Sequence, residues 1–105
     1  MAAEKQVQDK IVRWLKSQKV WHMKVHGSQY QKAGVPDLLI VYKGFAIFLE
    51  VKAKGKKPAV IQNVVMDELK KQGEAMVNWF DNAPDAIRWL ELCFASADEL
   101  LDSCL

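Results

Sequence analysis

Asp37, Glu50 and Lys52 bracket two hydrophobic runs, Leu38-Leu-Ile-Val-Tyr42 and Phe45-Ala-Ile-Phe-Leu49, which are separated only by Lys43-Gly44. That arrangement predicts a β-hairpin. If Lys43 and Gly44 are the two turn residues, Tyr42 faces Phe45 and Asp37 lies directly opposite Glu50, with Cβ atoms about 5 Å apart. Side chains alternate along a strand, so Lys52 shares a face with Glu50, beside Leu39 and Phe48. Lys-Gly is not the favoured type I′ pair, and a bulged turn would shift this register by one.

Two anions side by side on a partly covered sheet face destabilise each other. A divalent cation with oxygen ligands resolves the conflict. Mg²⁺ takes one or two carboxylates and leaves its remaining positions to water and phosphate. An ion so held polarises a phosphoryl oxygen and lowers the pKa of water, and Lys52 can orient or deprotonate that water or neutralise charge developing on the phosphate. Glu4 lies seven residues before Ile11, on the inward face of a helix, where it can complete an acidic cluster. Gln62 shares a helix stripe with Val65 and Leu69. Each residue also has a plainer role: Pro36-Asp37 is a common turn dipeptide, Glu50 can pair with a nearby lysine, and Glu4 can complement the first turn of its helix. Joint placement, not any single residue, carries the chemical reading.

Charge is distributed unevenly along the 105 residues. Residues 1–57 carry a balance of +8, residues 58–80 of −1 and residues 81–105 of −5. A basic first half favours a polyanionic partner, through phosphate neutralisation and counterion release. The loop Lys52-Ala-Lys54-Gly-Lys56-Lys57 follows the acidic pair at once, so Lys54, Lys56 and Lys57 are candidates for contacts to a nucleic-acid backbone. Tyr30 and Lys32, in the polar stretch 27–35, are further candidates for that contact. His22 and His26 show no ligand spacing and are read as the polar face of a strand.

The elements that position these residues follow from periodicity. Val7, Ile11, Trp14 and Leu15 predict an amphipathic helix over 4–18. Residues 20–26 alternate Trp21, Met23 and Val25 with His22, Lys24 and His26, a half-buried strand expected to bury the apolar set. After the hairpin, Pro58 opens a second helix expected to bury Ile61, Val64, Val65 and Leu69 and to end at Gly73. A fourth strand over 74–80 leads, through Asp81-Asn82, into a helix over 84–94. Ser96-Ala-Asp-Glu99 matches a capping box, which makes 95–105 a separate short helix or tail. The order αβββαβα implies an α/β fold, a mixed sheet flanked by helices, in one domain over 1–105. The helix over 84–94 leaves only Asp85, Arg88 and Glu91 as a polar stripe. A helix apolar over most of its circumference wants a second covering surface, which a homodimer would supply unless residues 100–105 fold back over it.

Composition excludes other classes. Half of the chain is hydrophobic and 27% charged, a globular balance. No apolar run approaches the ~20 residues of a membrane span, and the first residues show no secretory pattern. Cys93 and Cys104 match no zinc or redox spacing. The expectation is a cytoplasmic protein with reduced thiols.

The combined pattern resembles the PD-(D/E)XK nuclease superfamily, whose fold is restriction-endonuclease-like. Within it, Gly34-Val-Pro-Asp37, Phe48-Leu-Glu-Val-Lys52, a helix bearing Glu4, and Gln62 beyond the lysine loop resemble the VRR-NUC group in its short standalone form. The resemblance covers roughly residues 4–90. It implies metal-dependent hydrolysis of DNA phosphodiesters, with Asp37, Glu50 and the backbone carbonyl of Val51 as metal ligands. Lys52 is then the catalytic lysine, and Glu4 and Gln62 are accessory. Short standalone members of viral and bacterial origin resemble this chain in length and are similar to junction resolvases in forming homodimers, which implies a homodimer here. The leading reading is a Mg²⁺- or Mn²⁺-dependent DNA endonuclease with branched or flapped DNA as candidate substrate. A basic DNA-binding module without catalysis and an assembly subunit are the alternatives. Paired carboxylates facing DNA argue against the former.

Overall fold

The structure, a computed structural model, describes residues 2–25, 33–72 and 76–104. Tyr30, Lys32, His26 and Gly73 lie outside them. In chain order the elements are α1 (Ala2–Ser17), β1 (Trp21–Lys24), β2 (Leu38–Tyr42), β3 (Phe45–Val51), α2 (Val60–Lys71), β4 (Met76–Phe80) and α3 (Ala83–Cys104). The four strands form one sheet in the order β1-β2-β3-β4. The first two pairings are antiparallel and β3 pairs with β4 in parallel, so the sheet is mixed and its order matches the expected αβββαβα.

The hairpin is the least ambiguous element, and its register is unshifted: Tyr42 pairs with Phe45, Ile40 with Ile47 and Leu38 with Leu49. Lys43 and Gly44 both take positive φ, 49° and 89°, as a two-residue type I′ turn requires. The non-glycine residue in that turn is held from outside. Asp98 on α3 accepts hydrogen bonds from Lys43 Nζ at 2.7 Å and from Tyr42 Oη at 3.0 Å, and the ammonium sits 5.2 Å from the Tyr42 ring centroid.

Strand alternation sorts the side chains into two layers. On one face Leu38, Ile40, Ile47, Leu49 and Val51 are fully buried against Ile11 and Leu15 of α1 and Ala86, Leu90 and Cys93 of α3. Trp14, Phe94 and Tyr42 stack at its margin, with centroids 5.9 and 4.3 Å apart. On the other face, Val65 and Met66 of α2 and Val77 of β4 are buried. The Glu50 face of β3 lies in this second layer, since Phe48 pairs with Val77 and Glu50 with Trp79.

Three expectations are corrected. First, Trp21 and Met23 are 56% and 45% exposed, while His22 and Lys24 are the half-buried members of β1. Their partners Ile40 and Leu38 place those polar residues on the α1 face, where Lys24 Nζ lies 3.8 Å from Asp9. Alternation shows that a strand has two faces but not which one a helix covers. Second, residues 95–104 form no separate helix: α3 runs unbroken to Cys104, because Ala97 is buried in line with Leu90 and Cys93 and Asp98 clasps the hairpin. The Ser96 capping pattern is therefore internal. This long helix buries or packs Ile87, Trp89, Leu90, Cys93 and Phe94 within the monomer, leaving Leu92 and Leu100 as its exposed large apolar side chains. Third, α2 exposes Ile61 and Val64 and buries Met66 beside Val65. Among the described residues no helix is long and apolar enough to cross a membrane.

Candidate metal centre

Asp37 reaches its place through a turn that tolerates little change. Gly34 has φ +83°, and a Cβ there would stand 2.8 Å from the main-chain oxygen of Ile61. Only glycine accepts both that conformation and that approach, so the segment before Asp37 packs directly on the first turn of α2. Pro36 is buried. Asp37 is then anchored from both neighbouring strands. Its carbonyl accepts from Val25 N–H at 2.7 Å, and its Oδ2 accepts from Val51 N–H at 2.8 Å. The β2–β3 ladder ends at Leu38 and Leu49, so the Asp37 carboxylate takes the donor that the next ladder residue would have met.

Glu50 sits on β3, one of the two interior strands of the sheet, and is only 1% exposed. Neither of its carboxylate oxygens has a hydrogen-bond partner among the described residues. Burial, then the adjoining Asp37 carboxyl, pushes its pKa up to about 9, while Lys52 opposes the shift and Glu4 adds a smaller part to it. Two ionised carboxylates offer no donor to each other. They can share a hydrogen bond only while one holds a proton. A buried charged group without a partner is costly, so a residue like Glu50 persists where protonation or a cation relieves it.

Lys52 leaves the sheet at the end of β3, its N–H donating to Phe80 carbonyl at 2.9 Å. Its ammonium lies close enough to act on Glu50. Glu4 is half-buried on α1 and reaches Glu50 through its field. Among the described residues no three His, Cys, Asp or Glu side chains converge. The carboxylate count is therefore two, within what Mg²⁺ takes from a protein. Unpaired oxygens on Glu50, next to a second carboxylate whose orientation is fixed, are a donor set that fits a hard divalent cation.

Other predicted residues fall differently. Gln62 is half-buried, and its Oε1 accepts from Ala59 N–H at 2.8 Å, fastening the start of α2. Lys54, Lys56 and Lys57 are exposed on a turn closed by Lys56 N–H donating to Ala53 carbonyl at 2.9 Å. One interaction at this turn was not anticipated: Gly55 N–H donates to Asp81 Oδ2 at 2.9 Å. Its only sequence signal was an acid at the end of β4, indistinguishable there from an ordinary turn residue.

No family model matches the sequence, and no curated protein matches it. Solved structures do. One described as a VRR_NUC domain is 25% identical, with a TM-score of 0.73, covering 85% of this chain and 95% of its own. A second, described as a VRR_NUC domain protein, is 21% identical, with a TM-score of 0.68 and 85% of each chain covered. The chain therefore has the fold of VRR-NUC domains, a nuclease-like α/β fold.

Proposed function

We propose that this protein is a Mg²⁺- or Mn²⁺-dependent endonuclease that hydrolyses DNA phosphodiesters, its described elements working as one domain in the cytoplasm. The observation that carries the reading is Glu50, fully buried beside Asp37 with neither carboxylate oxygen paired in the geometry of the described residues. Asp37 and Glu50 would hold the cation, with the carbonyl of Val51. A strand residue's C=O points to the same side as its N–H, and the Val51 N–H faces Asp37. When bound, the ion supplies a Lewis acid for the phosphoryl oxygen and a lowered pKa for water.

The chain's own groups do the rest. Asp37, with its rotamer fixed by Val51 N–H, and Glu50, fixed by burial, keep their separation without reorganising. Lys52 brings a cation to the exposed margin of the same face, where it orients or deprotonates water or offsets charge on the scissile phosphate. Glu4 adds negative potential that favours a cation at the pair. Gln62, by fastening the start of α2, acts as an accessory through the helix covering the site. Lys54, Lys56 and Lys57 hold the DNA backbone without reading sequence. Tyr30 and Lys32 belong to the same proposed contact.

Branched or flapped DNA is the proposed substrate, and a homodimer the proposed assembly. The exposed apolar side chains of Trp21, Met23 and Val41, on one face of the sheet, support a second covering copy. Sedimentation equilibrium at micromolar protein tests it, a 12.0 kDa species refuting the dimer. Activity is tested by incubating branched, flapped and linear DNA with Mg²⁺, Mn²⁺ or EDTA. Cleavage with either metal and none in EDTA is expected, with branched DNA cut faster than linear. Binding without cleavage under every condition would make the chain a DNA-binding module instead.

A further inference from the structure

The lysine loop meets the end of β4 at two points, one of them a carboxylate. Strand β4 ends at Phe80, whose carbonyl holds Lys52 N–H. The next residue, Asp81, directs Oδ2 to Gly55 N–H at 2.9 Å. Its Oδ1 accepts from Asn82 Nδ2 at 3.0 Å, and the same amide nitrogen donates to Asp85 Oδ2 at 3.0 Å. Asn82 Oδ1 in turn accepts from Asp85 N–H at 2.9 Å, at the first turn of α3. Gly55 has φ +82° with open space around its Cα. A glycine so placed has wide conformational freedom, and the bond to Asp81 removes it.

We propose that Asp81 is a positioning residue for nucleic-acid contact: through Gly55 it holds Lys54, Lys56 and Lys57 in their phosphate-binding arrangement. The inference rests on the DNA reading above. Asp81 is an anion beside a polyanion's proposed track, and the Gly55 N–H bond, with the Lys54 charge among the lesser causes, holds its carboxyl below the usual range. By charge alone, removing it strengthens DNA binding. By position, removing it weakens binding, because the loop must then be ordered when DNA arrives. The two accounts differ in sign.

The test compares wild type, Asp81→Ala and Asp81→Asn for affinity to linear and branched DNA in millimolar Ca²⁺, together with hydrogen exchange at the Gly55 amide. Asparagine keeps an acceptor oxygen and discards the charge. Asp81→Ala is expected to raise Kd about fivefold, the scale of a single hydrogen bond, and to expose the Gly55 amide. Asp81→Asn should restore both the protection and the affinity. Should Asp81→Ala not fold, Gly55→Ala strains the same turn without touching α3, and it must weaken binding too. A folded Asp81→Ala that binds as tightly as wild type, or more tightly, overturns the proposal. Wild type that binds no DNA overturns the DNA reading itself, a result distinct from equal binding by both.

Discussion

The acidic pair leaves a signature in the pH dependence of folding, and Glu50→Gln removes it. In the unfolded chain Glu50 titrates near 4.5, and in the folded protein burial and Asp37 move it to about 9. Between those values the folded state binds a proton that the unfolded state has lost. Stability must therefore fall as pH rises, by up to about 1.4 kcal/mol per pH unit. From pH 5 to pH 8 this amounts to about 4 kcal/mol, a large share of the ~5–15 kcal/mol that holds a domain folded. Among the described residues, the other groups whose pKa is shifted lie outside this window. Asp9, Asp81 and Asp98 are shifted down by their partners, so their contributions disappear only at acid pH. Burial moves Cys93 up to about 11 and Asp98 raises Lys43, both above the window. Urea unfolding of wild type and Glu50→Gln at pH 5, 6, 7 and 8 in EDTA should give a falling line for wild type and a nearly flat one for the variant. Millimolar Mg²⁺ should flatten the wild-type line at its upper end, since a ligand of the folded state alone raises stability by mass action. Parallel lines in EDTA would mean that Glu50 is not held protonated in the folded protein, whatever the absolute difference between the proteins.

Lys52→Ala should abolish cleavage while DNA affinity, measured by anisotropy, falls only modestly; near-normal turnover would remove Lys52 from the chemistry. Joint replacement of Lys54, Lys56 and Lys57 by Ala should weaken binding and flatten its dependence on log salt, by ~0.9 for each phosphate no longer neutralised. Gly34→Ala should destabilise the fold by more than ~1 kcal/mol in chemical denaturation, beyond the effect of Gly44→Ala, since Gly44 shares a positive φ but has nothing within 4 Å. Asp98→Ala should lower the melting temperature more than Asp102→Ala, because only Asp98 clasps the hairpin tip.

The placement of the candidate site's residues was legible where chemistry coincided with strand geometry. Lys43-Gly44 between two hydrophobic runs was enough to set the hairpin register, and that register places Asp37 beside Glu50. The inward side of α1 was equally plain, since Val7, Ile11 and Leu15 share one face. Residues whose role depends on a distant partner were not legible. The exposure of Trp21 and Met23 depends on α1 packing over the opposite face of β1. The continuity of α3 depends on Asp98 meeting a hairpin 55 residues earlier in the chain. Asp81 matters through Gly55, 26 residues away, and no local pattern marks the pair. Gln62 was placed on the correct helix, but its amide is bound to Ala59, a local interaction that its position three residues beyond Ala59 could have signalled.

If Asp37 and Glu50 together hold a divalent cation, crystals soaked in millimolar Mn²⁺ and measured at the manganese absorption edge will reveal it. An anomalous peak is expected about 2 Å from a carboxylate oxygen of each residue, with the Val51 carbonyl among its ligands. No peak there, or one bonded elsewhere, would mean that the pair is not a metal site.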